Sequence, residues 1–347
     1  MARKAGKAGK DFNYYLTSFL TKYLAGERCL STNTIKSYRD TFKLYLVFMK
    51  AVKGIPPQKM TLNDVTHDNI VEYLDWLELN NGIKKSSRNV RLAAIHSFVK
   101  YVQLDDLDRL LEYKRILAIK SKKHASREIP YLSKDELKSL LNAPDTTTPQ
   151  GRRDKVLLSI LYDTAARVSE LINLTIDDVR LSQPETISLT GKGDKTRIVP
   201  IMGSTVDLLK KYIEENDLVS RRYASQYYLF TSRHGTKLTR SGVSYILNKY
   251  VTAVNKSGAA DIKISVHPHT LRHTKAVHLL EAGVDLIYIR DLLGHSSVTT
   301  TEVYAKVSQG NKRKALENAY EEISIVDQSN WHENMDLMKF LQDLCKE

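Results

Sequence analysis

Between residues 120 and 130 the chain reads Lys-Ser-Lys-Lys-His-Ala-Ser-Arg-Glu-Ile-Pro, and no single core can be threaded through that stretch. It is basic, nearly free of large apolar side chains, and closed by Pro130, which biases the residue before it away from helix. The apolar pattern also changes character across it. Upstream the spacing is helical throughout, and downstream it is mixed. In a chain of 347 residues this predicts two separately packed units joined by a linker at 120–130.

The upstream unit reads as four helices. Phe12, Tyr15, Leu16, Phe19, Leu20, Tyr23 and Leu24 recur at helical spacing, with Gly26 as the stop. Ser31 or Thr32 caps a second helix through Ile35, Tyr38, Phe42, Tyr45, Leu46 and Met49, broken by Gly54 and Pro56-Pro57. A third runs from Thr66 to Leu79 and stops at Asn80-Asn81-Gly82. The fourth, Ser86–Val102, carries Lys84, Lys85, Arg88 and Arg91 near its start. A bundle that buries one face of each helix leaves such cations free for anions.

Downstream of Pro130 the pattern is α+β, mainly helix with a small sheet. Helical runs fall at 134–142, 154–163, 168–174, 205–215, 240–255, 270–282, 285–293 and 300–305. Short β-like runs at 186–190 and 196–200 flank the turn Gly191-Lys192-Gly193-Asp194-Lys195.

Charge narrows the class of partner. The chain has 53 Lys+Arg against 40 Asp+Glu, a net of +13. Residues 1–130 hold 24 basic and 13 acidic groups, and residues 317–347 hold 2 and 8. Basic units with an acidic tail suit a protein that holds a polyanion, and a merely basic surface fits the same numbers. Lys122, Lys123 and Arg127 make the linker either a strap for a nucleic-acid backbone or a solvated spacer. No apolar run is long enough for a membrane span, and no apolar stretch follows the basic start to make a signal peptide. The two cysteines, Cys29 and Cys345, sit at opposite ends, against a disulfide scaffold or a cysteine metal site. The expectation is a soluble, intracellular protein.

Four motifs place polar groups inside apolar helices. In Thr164-Ala165-Ala166-Arg167-Val168-Ser169-Glu170-Leu171, Arg167 sits beside a packed interior and needs an anion, either a ligand or Glu170. Lys192 projects from a glycine-rich turn that lacks P-loop spacing. In His267-Pro268-His269-Thr270-Leu271-Arg272-His273, Pro268 marks a helix entrance and His269 and Arg272 share a face. His269 and His273 are spaced for zinc, but Arg272 stands between them and no cysteine pair accompanies them, so no metal is predicted. Last, Gly294 ends a helix, His295 follows at the break, and Tyr304 lies on a short helix beyond it. A lone tyrosine is ordinarily packing.

Taken together, Arg167, Lys192, His269, Arg272, His295 and Tyr304, in this order and in these surroundings, resemble the tyrosine site-specific recombinases of the lambda-integrase family, in their two-domain Xer and transposon-recombinase form. The matching stretches are Ala166–Leu171, Gly191–Gly193, His269–His273, Leu293–His295 and Val303-Tyr304, within residues 127 to 310. The resemblance implies a helical core-binding domain at 1–119, a linker at 120–130, a catalytic domain at 131–327 and a C-terminal helix at 328–347, closing as a C-shaped clamp on DNA. It implies phosphoryl transfer without metal or other cofactor. Arg167, Arg272, His269 and His295 would bind the phosphate, Lys192 would protonate the leaving 5′ oxygen, and Tyr304 would attack with His269 as base. Glu170 would hold Arg167. Lys84, Lys85, Arg88, Arg91, Lys122, Lys123 and Arg127 would meet DNA phosphates. Lys275, where the family often has an apolar residue, would snorkel outward or meet phosphate.

Implied partners are double-stranded recombination sites and three further copies of the chain: a monomer or dimer when free, a tetramer on DNA, passing through a Holliday junction in a bacterial cytoplasm, at the nucleoid. Integration, excision or resolution of a mobile element is the expected setting. A type IB topoisomerase and a catalytically silent DNA-binding regulator are the competing readings. Met335, Met338, Leu341 and Leu344-Cys345 form an apolar stripe on the acidic tail, which would dock into a neighbouring protomer or onto its own domain.

Overall fold

A computed structural model describes residues 11–123, 129–191, 193–218, 227–295 and 297–305, with 339, 341 and 343. The chain divides into two compact units, residues 1–127 and 128–347. Among the described residues no helix is long and apolar enough to cross a membrane.

The first unit is helical. α1 (Phe12–Ser18) runs directly into a π-helical segment, Phe19–Glu27. α2 is Thr32–Lys53, α3 His67–Asn81, α4 Lys85–Val102 and α5 Leu110–Leu117. Caps set the boundaries: Ser31 Oγ accepts from the Thr34 amide, and Gly54 closes α2 in the left-handed region at φ 69°. Gly26 does not stop the first helix as expected; Cys29, at φ 44°, lies beyond the real end. The wider π turn lets Phe19 and Tyr23 stack at 5.8 Å. The core is aromatic, with the Phe98 ring edge-on to Phe12 at 5.7 Å and to Phe42 at 5.0 Å. The buried tyrosines satisfy their hydroxyls: Tyr45 donates to the Asp64 carbonyl and Tyr73 to the Thr41 carbonyl. α5 was not expected, because only Tyr113 and Ile116 of its residues are buried, too short a stripe to register as a period.

The second unit mixes helices with one small sheet. α6 (Lys134–Asn142) opens on a reciprocal Ser133–Glu136 capping box. α7 spans Pro149–Asp163, starting earlier than the expected Asp154 because Pro149 takes the first position and Thr148 caps Gly151. α8 is only Val168–Leu171. Strands β1 (Val179–Arg180), β2 (Thr186–Thr190) and β3 (Thr196–Pro200) pair antiparallel in the order 1-2-3, with Ile187 opposite Val199 and Leu189 opposite Arg197. Ile187, Leu189 and Val199 point to the core. α9 (Gly203–Glu215), α10 (Arg240–Ser257), α11 (Pro268–Glu281), α12 (Leu286–Leu293) and α13 (Glu302–Ala305) complete the unit. The fold is thus mainly α with a small sheet. α11 buries Leu271, Arg272, Thr274, Ala276, Val277 and His278, and this fixes where the polar groups of its first turn stand.

Candidate active site

The site begins where α7 ends. Ala165 takes φ 49°, a left-handed conformation costly for a residue with a Cβ, and its carbonyl accepts from Arg272 Nη1 at 2.7 Å. Arg272 Nη2 donates to the Leu293 carbonyl at the end of α12. This guanidinium is 2% exposed and held by main-chain oxygens from two separate elements. Burial is the main cause, with Arg167 and Arg197 next, that lowers its pKa to about 10, so it remains charged at neutral pH.

Arg167, at the N-cap of α8, donates from Nη1 to Glu170 Oε1 at 2.7 Å and from its amide to Oε2 at 2.8 Å. Its other fork nitrogen, Nη2, reaches the Gly294 carbonyl at 3.3 Å. Glu170 also receives both fork nitrogens of Arg197, at 3.0 and 2.8 Å, while Arg197 Nε donates to the Leu292 carbonyl at 2.8 Å. Burial alone would raise the Glu170 carboxyl, but the bonds from Arg197 and Arg167 outweigh it and hold the group below the usual range. The expected Glu170–Arg167 contact is therefore half of a three-membered cluster. In the sequence Arg197 falls within the β-like run at 196–200, which gave it no role. Two close approaches depend on this cluster: a Cβ on Gly191 would meet Glu170 Oε1 at 3.0 Å, and one on Gly294 would meet Arg197 Cδ at 3.0 Å.

α11 and the segment after α12 supply the remaining groups. His269 is exposed in the first turn, its pKa lowered by burial of the ring, then by Arg272 and Arg167. His295 follows the left-handed Gly294 (φ 61°) and pairs through Nδ1 with Thr301 Oγ1 at 3.1 Å. Burial first, then Arg272, Arg167 and Arg197, pushes its pKa to about 4. Tyr304 on α13 is 3% exposed and packs with Ala165, Ala276, Val277, Ile289 and Leu293. Burial raises its phenol above the ordinary value, and Arg272 partly offsets that. Its hydroxyl lies 2.8 Å from Nδ1 of His273, and not of His269 as the sequence suggested. His269 and His273 stack, with ring centroids 6.2 Å apart. No group of three or more His, Cys, Asp or Glu able to hold a metal occurs among the described residues.

The structure brings together Arg167, Glu170, His269, Arg272, His295 and Tyr304. Lys192 lies outside the described residues, although the turn that carries it is closed by the Gly191 amide donating to the Lys195 carbonyl at 2.9 Å. Four cations have partners within the protein that the sequence did not predict. Arg88 is 4% exposed and turned toward Glu78 at 3.6 Å, and Arg91 donates to the Ser37 carbonyl and Thr41 Oγ1, so both serve packing inside the first unit. Lys122 pairs with Asp75 and Glu78, and its main chain is bound on both sides by Asn89. Lys275 turns inward, 3.5 Å from Asp163 and 4.7 Å from the Tyr162 ring centroid. Lys84, Lys85 and Lys123 are exposed, and Arg127 is outside the described residues.

Fold and site together define a DNA strand transferase that works through a tyrosine. Residues 130–311 match the model of the phage integrase family, and residues 17–104 that of the phage integrase N-terminal SAM-like domain. The chain belongs to this family, the tyrosine recombinases, and is a site-specific DNA recombinase. A putative integrase/recombinase of Sinorhizobium fredii is 36% identical over 301 residues, covering 87% of this chain and 89% of its own. Tyrosine recombinase XerD of Listeria monocytogenes is 35% identical over 291 residues, covering 83% and 92%. Among solved structures, the Tn1549 transposon integrase in complex with transposon right end DNA has a TM-score of 0.67 at 15% identity, covering 88% of this chain and 97% of that one. XerH bound to a palindromic difH substrate gives 0.64 at 22% identity, covering 86% and 84%.

Proposed function

We propose that Tyr304 attacks a scissile DNA phosphate to form a 3′-phosphotyrosine, and that a 5′ hydroxyl of a second duplex then displaces it. The observation that carries this reading is a buried tyrosine beside Arg272, a guanidinium whose position is fixed by two main-chain carbonyls. Arg167 and Arg272 bind the non-bridging oxygens, His269 and His295 add donors, and Lys192 protonates the leaving oxygen. The covalent ester conserves bond energy, so rejoining needs no nucleotide. Lys84, Lys85 and Lys123 meet backbone phosphates, at 1–119 and the 120–130 linker, while 131–327 carries the chemistry.

Four protomers join two sites through a Holliday junction, with the helix at 328–347 linking neighbours. Of the stripe residues on that tail only Leu341 is among those described, and it is exposed. A cavity of about 460 Å3, lined by Ile198, Met202, Leu279, Val284 and Tyr288 together with the charged Asp163, Arg197, Lys275 and Asp291, is a candidate acceptor for such a helix. Movement of a mobile element in a bacterial cytoplasm is the programme that fits. The test uses a nicked suicide duplex bearing a core sequence that the purified protein selects from a random library. Wild type should form a covalent adduct and exchange strands between two duplexes. Tyr304→Phe should bind and form no adduct. An adduct in that variant removes Tyr304 from the role.

A further inference from the structure

A phenol that bonds to phosphorus must give up its proton, and the ester oxygen that results has no use for it. Tyr304 is protonated at neutral pH, since burial raises its pKa. Its O–H needs an acceptor in that apolar setting, and His273 Nδ1 stands 2.8 Å away. The rings of His273 and Tyr304 are 5.6 Å apart at 50°, and His269 stacks on the other imidazole at 30°. His273 also follows Arg272 directly, so the helix turn that anchors the phosphate-binding guanidinium sets the imidazole as well. The charged and titratable groups facing His273 are His269, Arg272, His295 and Tyr304. Burial, His269 and Arg272 depress its pKa to about 4, so the ring is neutral. With Nδ1 facing a hydroxyl donor, the ring proton sits on Nε2 and Nδ1 offers a lone pair.

We infer that His273 is a further catalytic residue, the group that takes the proton from Tyr304 as the strand is cut; this rests on the reading of Tyr304 as nucleophile. The step balances. A lone pair on Tyr304 Oη forms the bond to phosphorus, and the Oη proton passes to His273 Nδ1. The bond from phosphorus to the 5′ oxygen breaks, and that oxygen takes a proton from Lys192. Rejoining reverses both transfers. Burial is the larger part of the low basicity of His273, and the charge of Arg272 adds to it. A phosphate anion arriving beside Arg272 offsets its repulsion and makes an imidazolium easier to form.

The test compares wild type, His273→Ala and His273→Asn on the selected-site suicide duplex, each also prepared with 2,3-difluorotyrosine, a more acidic phenol, in place of Tyr304. Asparagine keeps an acceptor oxygen near the place of Nδ1 and cannot carry a proton. Both variants should bind the duplex like wild type and cleave about 10²–10⁴-fold more slowly, the span of general base catalysis. The fluorinated phenol should restore most of that loss in both. Wild-type cleavage by His273→Asn would overturn the proposal, because the contact would then only position the ring. A loss that the acidic phenol leaves in place would overturn it too. An adduct that survives Tyr304→Phe is a different failure, since it removes the nucleophile and the base falls with it.

Discussion

Glu170→Gln tests the three-membered cluster at the heart of the second unit. The carboxylate, with its side chain 1% exposed, accepts the Arg167 amide, one Arg167 fork nitrogen and both Arg197 fork nitrogens. Glutamine keeps the volume, removes the charge, and turns a donor toward a guanidinium. Removing one member of a buried ion pair costs about 3–5 kcal/mol, and Arg167, a third exposed at its side chain, can recover part of that in water. A loss of about 3 kcal/mol is expected, a fall of roughly 6–12 °C in melting temperature for a domain of this size. Cleavage should drop about 10²-fold, because Arg167 loses its brace. The pH dependence has a definite sign. The folded carboxyl titrates below its unfolded value of 4.5, so its contribution is full above that value and is lost as pH falls through the lower folded value. The stability gap between wild type and Glu170→Gln should therefore narrow in acid. A variant within 1 kcal/mol of wild type, with unchanged cleavage and a gap independent of pH, would refute the reasoning.

Arg272→Ala should cut suicide-duplex cleavage by about 10²–10³-fold while leaving duplex binding near wild type in a gel-shift assay. It should also destabilise by about 1–3 kcal/mol, read in a melting curve, because the Ala165 and Leu293 carbonyls lose their donors. Gly294→Ala places a Cβ at φ 61° and 3.0 Å from Arg197 Cδ, so it should cost about 1–2 kcal/mol and lower cleavage together, with denaturant titration and the adduct assay as readouts. Phe98→Ala empties the ring cluster of the first unit and should cost about 3–5 kcal/mol there. Calorimetry of that variant should show the transition of the second unit unmoved.

Local signals were enough for much of the fold. Pro268 at a helix entrance, Gly294 at an exit and the alternation of β2 and β3 are features a single chain states about itself, and each became the element it announced. Residues of the candidate site could be ordered along the chain because each sits in a distinctive local string. Their partnerships could not. His273 meets Tyr304 only because α13 packs on α11, and Arg197 meets Glu170 only because α8 packs on β2, the partner strand of β3; no spacing encodes either contact. Charges misled in a consistent direction. Arg88, Arg91, Lys122 and Lys275 were read as seeking solvent or phosphate, yet each has an acidic or carbonyl partner distant in sequence. A buried cation and an exposed one look alike until the acid that holds it is found.

The bracing of Arg167 and Arg197 around one carboxylate, with Arg272 held nearby by main-chain carbonyls, also sets a balance of charge. Among the described residues, two guanidiniums bond to Glu170 and a third, Arg272, is held by main-chain carbonyls, so these three cations and one carboxylate leave a surplus of two positive charges. A DNA phosphodiester brings one negative charge, so the bound ground state leaves the surplus half met. As the tyrosine oxygen closes on phosphorus and the 5′ oxygen has not yet left, the phosphoryl group gathers a second negative charge. That second charge strengthens the attraction of the same guanidiniums. On the proposed mechanism the cluster therefore holds the moment of exchange more strongly than intact DNA, which is the condition for binding energy to speed a reaction instead of merely holding its substrate.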